Sequence, residues 1–274
     1  MGCTMPRLVQ ISLLLLSLLL LNGCASTLPD GRKVPRHPVT DYHRVYRPGD
    51  AWRITPEGVE VRGEGLPRTR GEPKTARWIW ETYHEEINRW AWYYAVPAEM
   101  IIAVIATEAT PVSGQGAWTR SAKCVRQEPG YSSDTRTPGK VSVGLMQVTL
   151  ATAQAVVQHE ALEVKISRKT LVGADLNIRV GTALIAWQAR GELSNLATVL
   201  DPPVVFAAYN AGGVYRMGGR KNDWKLRQYP YKTGRHVDRA VAYFNDAVAA
   251  LSHHKFRPTW SWWDHLANLD KWRF

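Results

Sequence analysis

The sequence predicts a mostly α-helical domain that begins near residue 76. From there to Leu251, apolar and aromatic residues recur at spacings of three, four and seven, the period of helices buried on one face. No strand-rich segment and no internal repeat interrupts this range. With 45% hydrophobic and 10% aromatic residues, the chain can bury a sizeable core. These observations favour one helical domain.

The first 23 residues have the composition of an export signal. An apolar run of 14 residues follows Arg7, shorter than the roughly 20 that a membrane-spanning helix needs. The stretch "LNGC" that ends at Cys24 resembles the lipobox of bacterial lipoproteins, which implies a lipid on Cys24. In such lipoproteins Ala25 at the next position implies sorting to the outer membrane. The alternative is an ordinary cleaved signal in which Cys24 is incidental.

Two segments flank the helical domain, which we place at 76–252. Residues 24–75 are rich in Pro, Gly and Arg and predict an extended tether, in which "WRITPEGVEVRG" has the pattern of a small hairpin. Residues 253–274 form a Trp-rich tail. We expect this tail to strap across the domain, while stacking on glycan or resting at a membrane interface are the alternatives.

The predicted helices follow from periodicity and end signals. Large, mostly aromatic residues line one face of the first helix. We expect this aromatic stripe to pack in the core rather than to form a surface on which sugars stack. Pro97 suits the first position of the second helix. Asp175 can cap a later helix that ends at Gly191. Pro202 or Pro203 can start the helix that follows. We expect helices at about 76–94, 97–108, 151–160, 175–190, 203–209 and 234–251.

A single carboxylate stands in the apolar stretch "MIIAVIATEA", residues 100–109. On a helix, Glu108 shares one face with Ile101, Val104 and Ile105. An apolar neighbourhood and the negative end of the helix dipole both raise the pKa of such an acid. Glu108 is therefore a candidate proton donor near neutral pH. The alternative is a solvated glutamate at a frayed helix end.

Three stretches in order resemble the soluble-lytic-transglycosylase family. They are "YYAVPAEMIIAVIATEA" up to Glu108, "GLMQVTLATAQAV" from Gly144, and "FAAYNAGGVY" from Phe206. The stretches "DLNIRVGTALI" and "GRHVDRAVAYFNDA" look like the family's interior and closing helices. The resemblance covers about residues 76–250 and implies a goose-lysozyme-like α fold that cleaves murein glycan strands.

The resemblance implies site residues at matching positions. The catalytic acid would be Glu108, and no cofactor is implied. The family serine that meets substrate has Ser142 as its nearest candidate, although Ala109 replaces the usual Ser after the acid and the loop before Gly144 is long. The substrate-binding candidates are Ser142, Gly144, Leu145, Met146, Gln147, Tyr209 and Asn210.

The family chemistry needs only one carboxylate. Glu108 would protonate the glycosidic oxygen, the substrate's N-acetyl group would assist, and the C6 hydroxyl would close on C1 to give a 1,6-anhydro sugar. A murein hydrolase on the same fold would need a second carboxylate, for which Glu128 and Asp134 are the loop candidates. A non-catalytic murein-binding lipoprotein is the third interpretation.

Charge and cysteine content limit the classes of binding partner and the cross-links that this chain can have. The net charge is +11, and removing residues 1–23, whose only charged side chain is Arg7, leaves +10. An exported basic chain suits murein or anionic lipid heads rather than nucleic acid. Cys124 would be the only cysteine besides the lipidated one, which excludes an intrachain disulfide. No metal-binding motif appears in the sequence.

Overall fold

The computed structural model describes residues 52–61, 63–70, 73–109, 119–190, 200–212 and 231–268. Within them the chain forms eight α-helices: α1 (Lys74–Tyr94), α2 (Ala98–Glu108), α3 (Leu150–His159), α4 (Arg168–Leu171), α5 (Ala174–Arg190), α6 (Pro202–Ala211), α7 (Tyr231–Ser252) and α8 (Trp262–Ala267). Five short strands accompany them: β1 (Trp52–Thr55), β2 (Gly58–Val61), β3 (Val125–Gln127), β4 (Val141–Val143) and β5 (Val148–Thr149). The prediction of a mostly α domain is confirmed.

Helix α2 lies at the centre of the domain. Every residue of 98–107 is buried, so the helix is enclosed on all sides and not on one face alone. It packs against α1 and α7, while α6 also packs on α7 and α5 on α1. The aromatic stripe of α1 contributes to this core, since Trp80, Trp90 and Tyr94 are buried. The interpretation of that stripe as core is confirmed.

The N-terminal hairpin is part of the core of the domain. Strands β1 and β2 pair antiparallel, with Trp52 opposite Val61. The Asn245 side chain on α7 receives a hydrogen bond from the Val59 amide (2.8 Å) and donates one to the Val59 carbonyl (3.0 Å). The Trp52 indole N–H donates to Asp201 at 3.2 Å. Residues 52–61 therefore pack on the helices and do not belong to an extended tether.

A three-stranded antiparallel sheet interrupts the helices in the order β3-β4-β5. The sequence did not predict it, because strands of two or three residues are too short to show an alternating pattern. Val143 lies opposite Val125 across the intervening loop on one side, and opposite Val148 in a tight hairpin on the other. The sheet places the residues of the long loop next to the turn that starts at Gly144.

Helix ends agree with the sequence signals in part. Asp201 caps α6, accepting a hydrogen bond from the Val204 amide at 3.3 Å, and the helix begins at Pro202. Pro97 directly precedes α2 as its N-cap residue and is not its first residue. The Asp175 carboxylate lies in the first turn of α5, where it accepts hydrogen bonds from Arg89 and from the indole of Trp90.

The C-terminal segment straps across the domain, as the sequence predicted. The Ala98 amide donates to the Trp260 carbonyl at 3.0 Å, which fixes the segment to the start of α2. Trp262 is buried, and its indole N–H donates to the Thr55 carbonyl at 2.8 Å. This contact holds the hairpin and the strap together. Trp272 lies outside the described residues.

The predicted export signal, the lipobox and residues 24–51 lie outside the described part of the chain. Among the residues that are described, none of the helices combines the length and the apolar character needed to cross a membrane.

Candidate active site

Glu108 is the last residue of α2, and its side chain is only 11% exposed. Burial raises the pKa of this carboxyl to about 7. The positive charges of Arg126 and Arg239 oppose that rise, and the negative charge of Glu128 adds to it. The raised pKa agrees with the prediction from the apolar neighbourhood. Close to neutral pH, Glu108 therefore holds a proton that it can donate.

His236 on α7 lies beside this acid, with its Nε2 atom 3.6 Å from Oε1 of Glu108. Burial, with help from the charges of Arg239 and Arg126, lowers the pKa of the imidazole to about 4. Between about pH 4 and pH 7 both groups are consequently neutral, so their contact is not an ion pair in that range. A neutral imidazole does not favour the carboxylate of Glu108, whereas the positive charge of an imidazolium would lower the pKa of Glu108 and favour its ionised form.

Arg120, a residue of the long loop before Gly144, holds the end of α2. Its Nε and Nη2 donate to the Ala106 carbonyl at 3.1 and 3.0 Å, and Nη2 also donates to the Tyr243 hydroxyl at 3.0 Å. The Ala106 carbonyl belongs to the last turn, where carbonyls lack partners within the helix. The guanidinium is buried. Arg120 thus fixes the backbone two residues before Glu108.

The turn Gly144-Leu145-Met146-Gln147 is braced by one asparagine. Asn177 on α5 is fully buried and accepts a hydrogen bond from the Met146 amide at 2.8 Å. Its amide nitrogen donates to the carbonyls of Val143 (2.9 Å) and Leu171 (3.0 Å). Gly144 has a φ of 84°, and a Cβ there would lie 2.2 Å from the Asn177 side chain. Glycine is therefore required by both conformation and space.

Leu145 and Met146 are fully buried, so their side chains support the turn from the core. Met146 packs so closely on α5 that a Cβ on Gly181 would lie 2.4 Å from its sulfur. Ser142 is buried in β4 opposite Arg126 and Thr149.

Gln147 has one polar atom that the described residues leave unsatisfied. The residue adopts a φ of 47°, and its amide nitrogen donates to the carbonyls of Gly144 (2.8 Å) and Cys124 (3.2 Å). The amide oxygen is buried and has no hydrogen-bond partner in the described part of the chain. A buried acceptor of this kind is costly unless a ligand or water satisfies it. The Gln147 amide therefore holds the backbone of the turn, while its oxygen is shielded by the surrounding protein.

Tyr209 connects the turn to the acid. Its hydroxyl donates to the Met146 carbonyl at 2.8 Å. Burial, together with the charge of Glu108, raises the pKa of the phenol well above its usual value, so the hydroxyl stays protonated. The resemblance placed Tyr209 among the substrate-binding candidates. In this structure the hydroxyl bonds to the turn. Asn210, the next residue, is exposed near the end of α6.

Only one of the two carboxylates considered for a second catalytic role is available. Asp134 is bound by Arg168, whose Nε donates to both carboxylate oxygens at 2.9 Å. Glu128 follows β3, is exposed, and lies close enough to Glu108 to raise its pKa. Among the described residues, no cluster of three or more His, Cys, Asp or Glu side chains is placed to hold a metal ion. Cys24 lies outside the described residues.

Sequence reasoning missed several charged groups around Glu108. His236 and Arg239 come from α7, and Arg120 and Arg126 come from the long loop. His236 and Arg239 stand in the stretch that resembled the family's closing helix, but no site role was assigned to them. Asn177 stands in the stretch that resembled the interior helix, and its bracing of the glycine turn was not predicted either. For α7, the helical period indicates which residues share a face, but only the tertiary packing determines that this face meets the end of α2.

Comparison with known proteins assigns the chain to a family. The model of the transglycosylase SLT domain matches residues 85–233, more than half of the chain. The chain therefore belongs to the SLT-domain transglycosylase family, and the predictions of family and fold class are confirmed. A search of curated proteins found no match.

Solved structures of lytic transglycosylases resemble part of the chain. The 70 kDa soluble lytic transglycosylase SLT70 of Escherichia coli is 21% identical, with a TM-score of 0.42, over 65% of this chain and 25% of that one. An inactive mutant of the lytic transglycosylase Slt from Pseudomonas aeruginosa is 18% identical, with a TM-score of 0.38, over 67% and 26%. The aligned region thus spans about a quarter of these proteins, and likenesses at this level add nothing to the family assignment.

Proposed function

We propose that this protein is a murein lytic transglycosylase. It cleaves the β-1,4 bond between N-acetylmuramic acid and N-acetylglucosamine and leaves a 1,6-anhydro end on the muramic acid. The observation that carries this proposal is the buried, protonatable Glu108 at the end of α2, beside a neutral histidine and a braced glycine turn. Family membership supplies the substrate class.

The reaction starts with Glu108 in its protonated form. Its proton moves to the glycosidic oxygen as the bond from that oxygen to C1 breaks, and the substrate's N-acetyl group stabilises the positive charge that develops at C1. The C6 hydroxyl then attacks C1. Its proton returns to the Glu108 carboxylate, so the enzyme ends in its starting state and no water is consumed.

Substrate-binding roles follow from the contacts of the turn. Gly144 permits the tight turn that packs against Asn177, and we assign the neighbouring Gln147 amide to hold either the backbone of the turn or the sugar. The Tyr209 hydroxyl keeps the Met146 carbonyl in place. We assign further substrate contacts to Ser142 and Asn210, with Leu145 and Met146 supporting the turn from beneath.

A murein hydrolase is the second candidate, and Glu128 is the observation that favours it. This exposed carboxylate is close enough to influence Glu108, and as a base it would activate water for attack on C1. The reaction would then end in a hydrated reducing sugar. Glu128→Gln separates the two candidates, because it abolishes a hydrolase and spares a transglycosylase.

We further propose that the mature protein is held at the periplasmic face of the outer membrane by a lipid on Cys24. The supporting observations are the short apolar run after Arg7 and the lipobox-like "LNGC". Labelling with a radioactive fatty acid should mark the wild type and leave Cys24→Ala unlabelled. Label that persists in Cys24→Ala would refute the anchor.

The chain from Ala25 to Phe274 should be incubated with purified murein sacculi, and the products analysed by mass spectrometry, for wild type and Glu108→Gln. A transglycosylase releases muropeptides one water lighter than reducing sugars, and Glu108→Gln releases none. Hydrated ends would establish the hydrolase. Binding without release of any product would mean that the chain is a murein-binding protein.

A further inference from the structure

Two adjacent tryptophans of the C-terminal strap have opposite environments. Trp262 is 1% exposed and anchors the strap in the core, whereas Trp263 is 58% exposed. The capping box between Ser261 and Asp264 fixes the start of α8, which holds both residues. The Trp263 indole therefore stands in solvent on a helix whose start is fixed, and it has no role in the packing of the core.

Trp263 stands between two half-open cavities of about 480 and 500 Å³. Val248 and Ser252 also line both cavities, so the two are neighbouring parts of one surface. We call this surface the Trp263 cleft. The first cavity adds Arg68, His253 and Glu57, and the second adds Arg257, Glu99 and Asp264.

The carboxylates and the arginine of the second cavity differ in whether they can still bind a ligand. Glu99 accepts a hydrogen bond from the Trp262 amide at 2.8 Å, and Asp264 accepts one from the Ser261 amide at 2.8 Å. Arg257 is exposed and makes no side-chain hydrogen bond or ion pair within the described residues. The acids are therefore occupied by the protein's own amides, and the guanidinium is available for an external anion.

The Trp263 cleft is separate from the site at Glu108. Glu99 lines the cleft from the first turn of α2, and Glu108 is the last residue of the same helix. Nine residues along an α-helix correspond to about 14 Å. None of the residues that line the two cavities belongs to the glycine turn or contacts Glu108.

We propose that the Trp263 cleft is a second binding site for a peptide-bearing murein strand. A pyranose ring has one face of C–H groups that packs on an indole, while its hydroxyls point sideways to polar groups. The free carboxylates of the stem peptides match the unoccupied Arg257 and the Arg68 and His253 of the neighbouring cavity. The identity of this ligand rests on the proposed function.

The site would hold the enzyme on its insoluble substrate while Glu108 acts elsewhere on the strand. Two linked contacts with one polymer raise the effective concentration of the second partner. The cleft should therefore matter for sacculi, and not for short soluble fragments that occupy only the site at Glu108.

The test measures co-sedimentation of the full-length protein, purified in detergent, with purified sacculi in the Glu108→Gln background. Trp263→Ala should weaken binding roughly three- to tenfold, the loss expected for one aromatic contact, and Arg257→Gln should weaken binding and its dependence on salt. Trp92→Ala is the matched control, because Trp92 is 64% exposed, packs edge-on against Trp260 of the strap and lines neither cavity. Circular dichroism confirms folding, and Arg257→Gln serves if Trp263→Ala is misfolded.

Unchanged binding in both Trp263→Ala and Arg257→Gln, or an equal loss in Trp92→Ala, would overturn the second site. Catalysis is measured separately in proteins that retain Glu108, with short soluble glycan fragments as the substrate. On these fragments the activity of Trp263→Ala should match that of the wild type. An inactive wild type whose binding depends on Trp263 would refute the proposed function and leave the cleft in place. An active wild-type enzyme whose binding to sacculi is unchanged by Trp263→Ala would refute the second site and leave the proposed function in place.

Discussion

The imidazole Nε2 of His236 lies 3.6 Å from the carboxyl Oε1 of Glu108, and neither group is charged between about pH 4 and about pH 7. The packing of α7 on α2 produces this contact. Burial explains both protonation states, since it disfavours the carboxylate and the imidazolium alike. A neutral neighbour therefore keeps the acid in the form that donates a proton.

The pH dependence of activity should follow from this pair. Cleavage of sacculi should stay nearly level from about pH 4.5 to about pH 6.5 and fall above about pH 7, roughly tenfold per pH unit once Glu108 is ionised. Initial rates at low substrate concentration measure this profile. An alkaline limb that begins below pH 5.5 would mean that Glu108 is ionised in the free enzyme, which contradicts its assignment as the acid.

Charges near Glu108 should move that alkaline limb in opposite directions. Arg126 lowers the pKa of Glu108, so Arg126→Gln should shift the limb to higher pH. Glu128 raises the same pKa, so Glu128→Gln should shift the limb to lower pH. Arg136→Gln, an exposed arginine of the same loop, is the control and should leave the profile in place. Shifts of the same sign in both variants would exclude direct electrostatic action.

Glu108→Gln should stabilise the protein, but only when the pH is high. The native-state pKa of Glu108 lies above its unfolded value, so the native state binds the extra proton and stability falls as pH rises from about 4.5 to about 7. Glutamine mimics the protonated acid. Unfolding in denaturant should therefore show little difference at pH 4.5 and a gain of about 1 to 3 kcal/mol for the variant at pH 8.

The exposed Glu85→Gln is the control for that experiment, and its effect on stability at pH 8 should be smaller than that of Glu108→Gln. Glu99 and Asp201 also have pKa values raised by burial to about 7, so the absolute stability of both proteins should still fall across this range. A Glu108→Gln variant that gains nothing at pH 8 would show that the carboxylate is well solvated.

Gly144→Ala should disrupt the glycine turn. The new Cβ would lie 2.2 Å from the Asn177 side chain in a backbone conformation with positive φ, so we expect a loss of roughly 2 to 4 kcal/mol in stability and most of the activity. Gly139→Ala is the matched control, because a Cβ there meets only Ala151, at 3.9 Å. Thermal unfolding compares the two variants. Equal effects would show that the turn tolerates a side chain.

The helices and the acid could be predicted from local sequence. A period of three to four residues persists over each long helix, and the lone charge in "MIIAVIATEA" marks a position where a core helix carries a carboxylate. The order of the three stretches then identified the family. Such signals can be recognised without the tertiary structure, because each of them lies within about twenty residues of the chain.

The surroundings of Glu108 could not be predicted in the same way. Arg120 reaches the Ala106 carbonyl from within a polar loop, and His236 comes from a helix more than a hundred residues after Glu108. Their identities carry no local pattern, since an arginine in a polar loop and a histidine on an amphipathic helix are usually solvated. The small sheet was missed because its strands are very short and because β3 pairs with β4 across an intervening loop.

Cleavage that depends on Glu108 and closes on the substrate's own C6 hydroxyl takes up no oxygen from water. Sacculi should be digested in ordinary water and in water enriched in oxygen-18, and the products compared by mass spectrometry. We expect products of identical mass in both, one water lighter than reducing muropeptides and absent with Glu108→Gln. Products that carry the heavy oxygen as they form, at the mass of reducing sugars, would contradict this mechanism and establish attack by water.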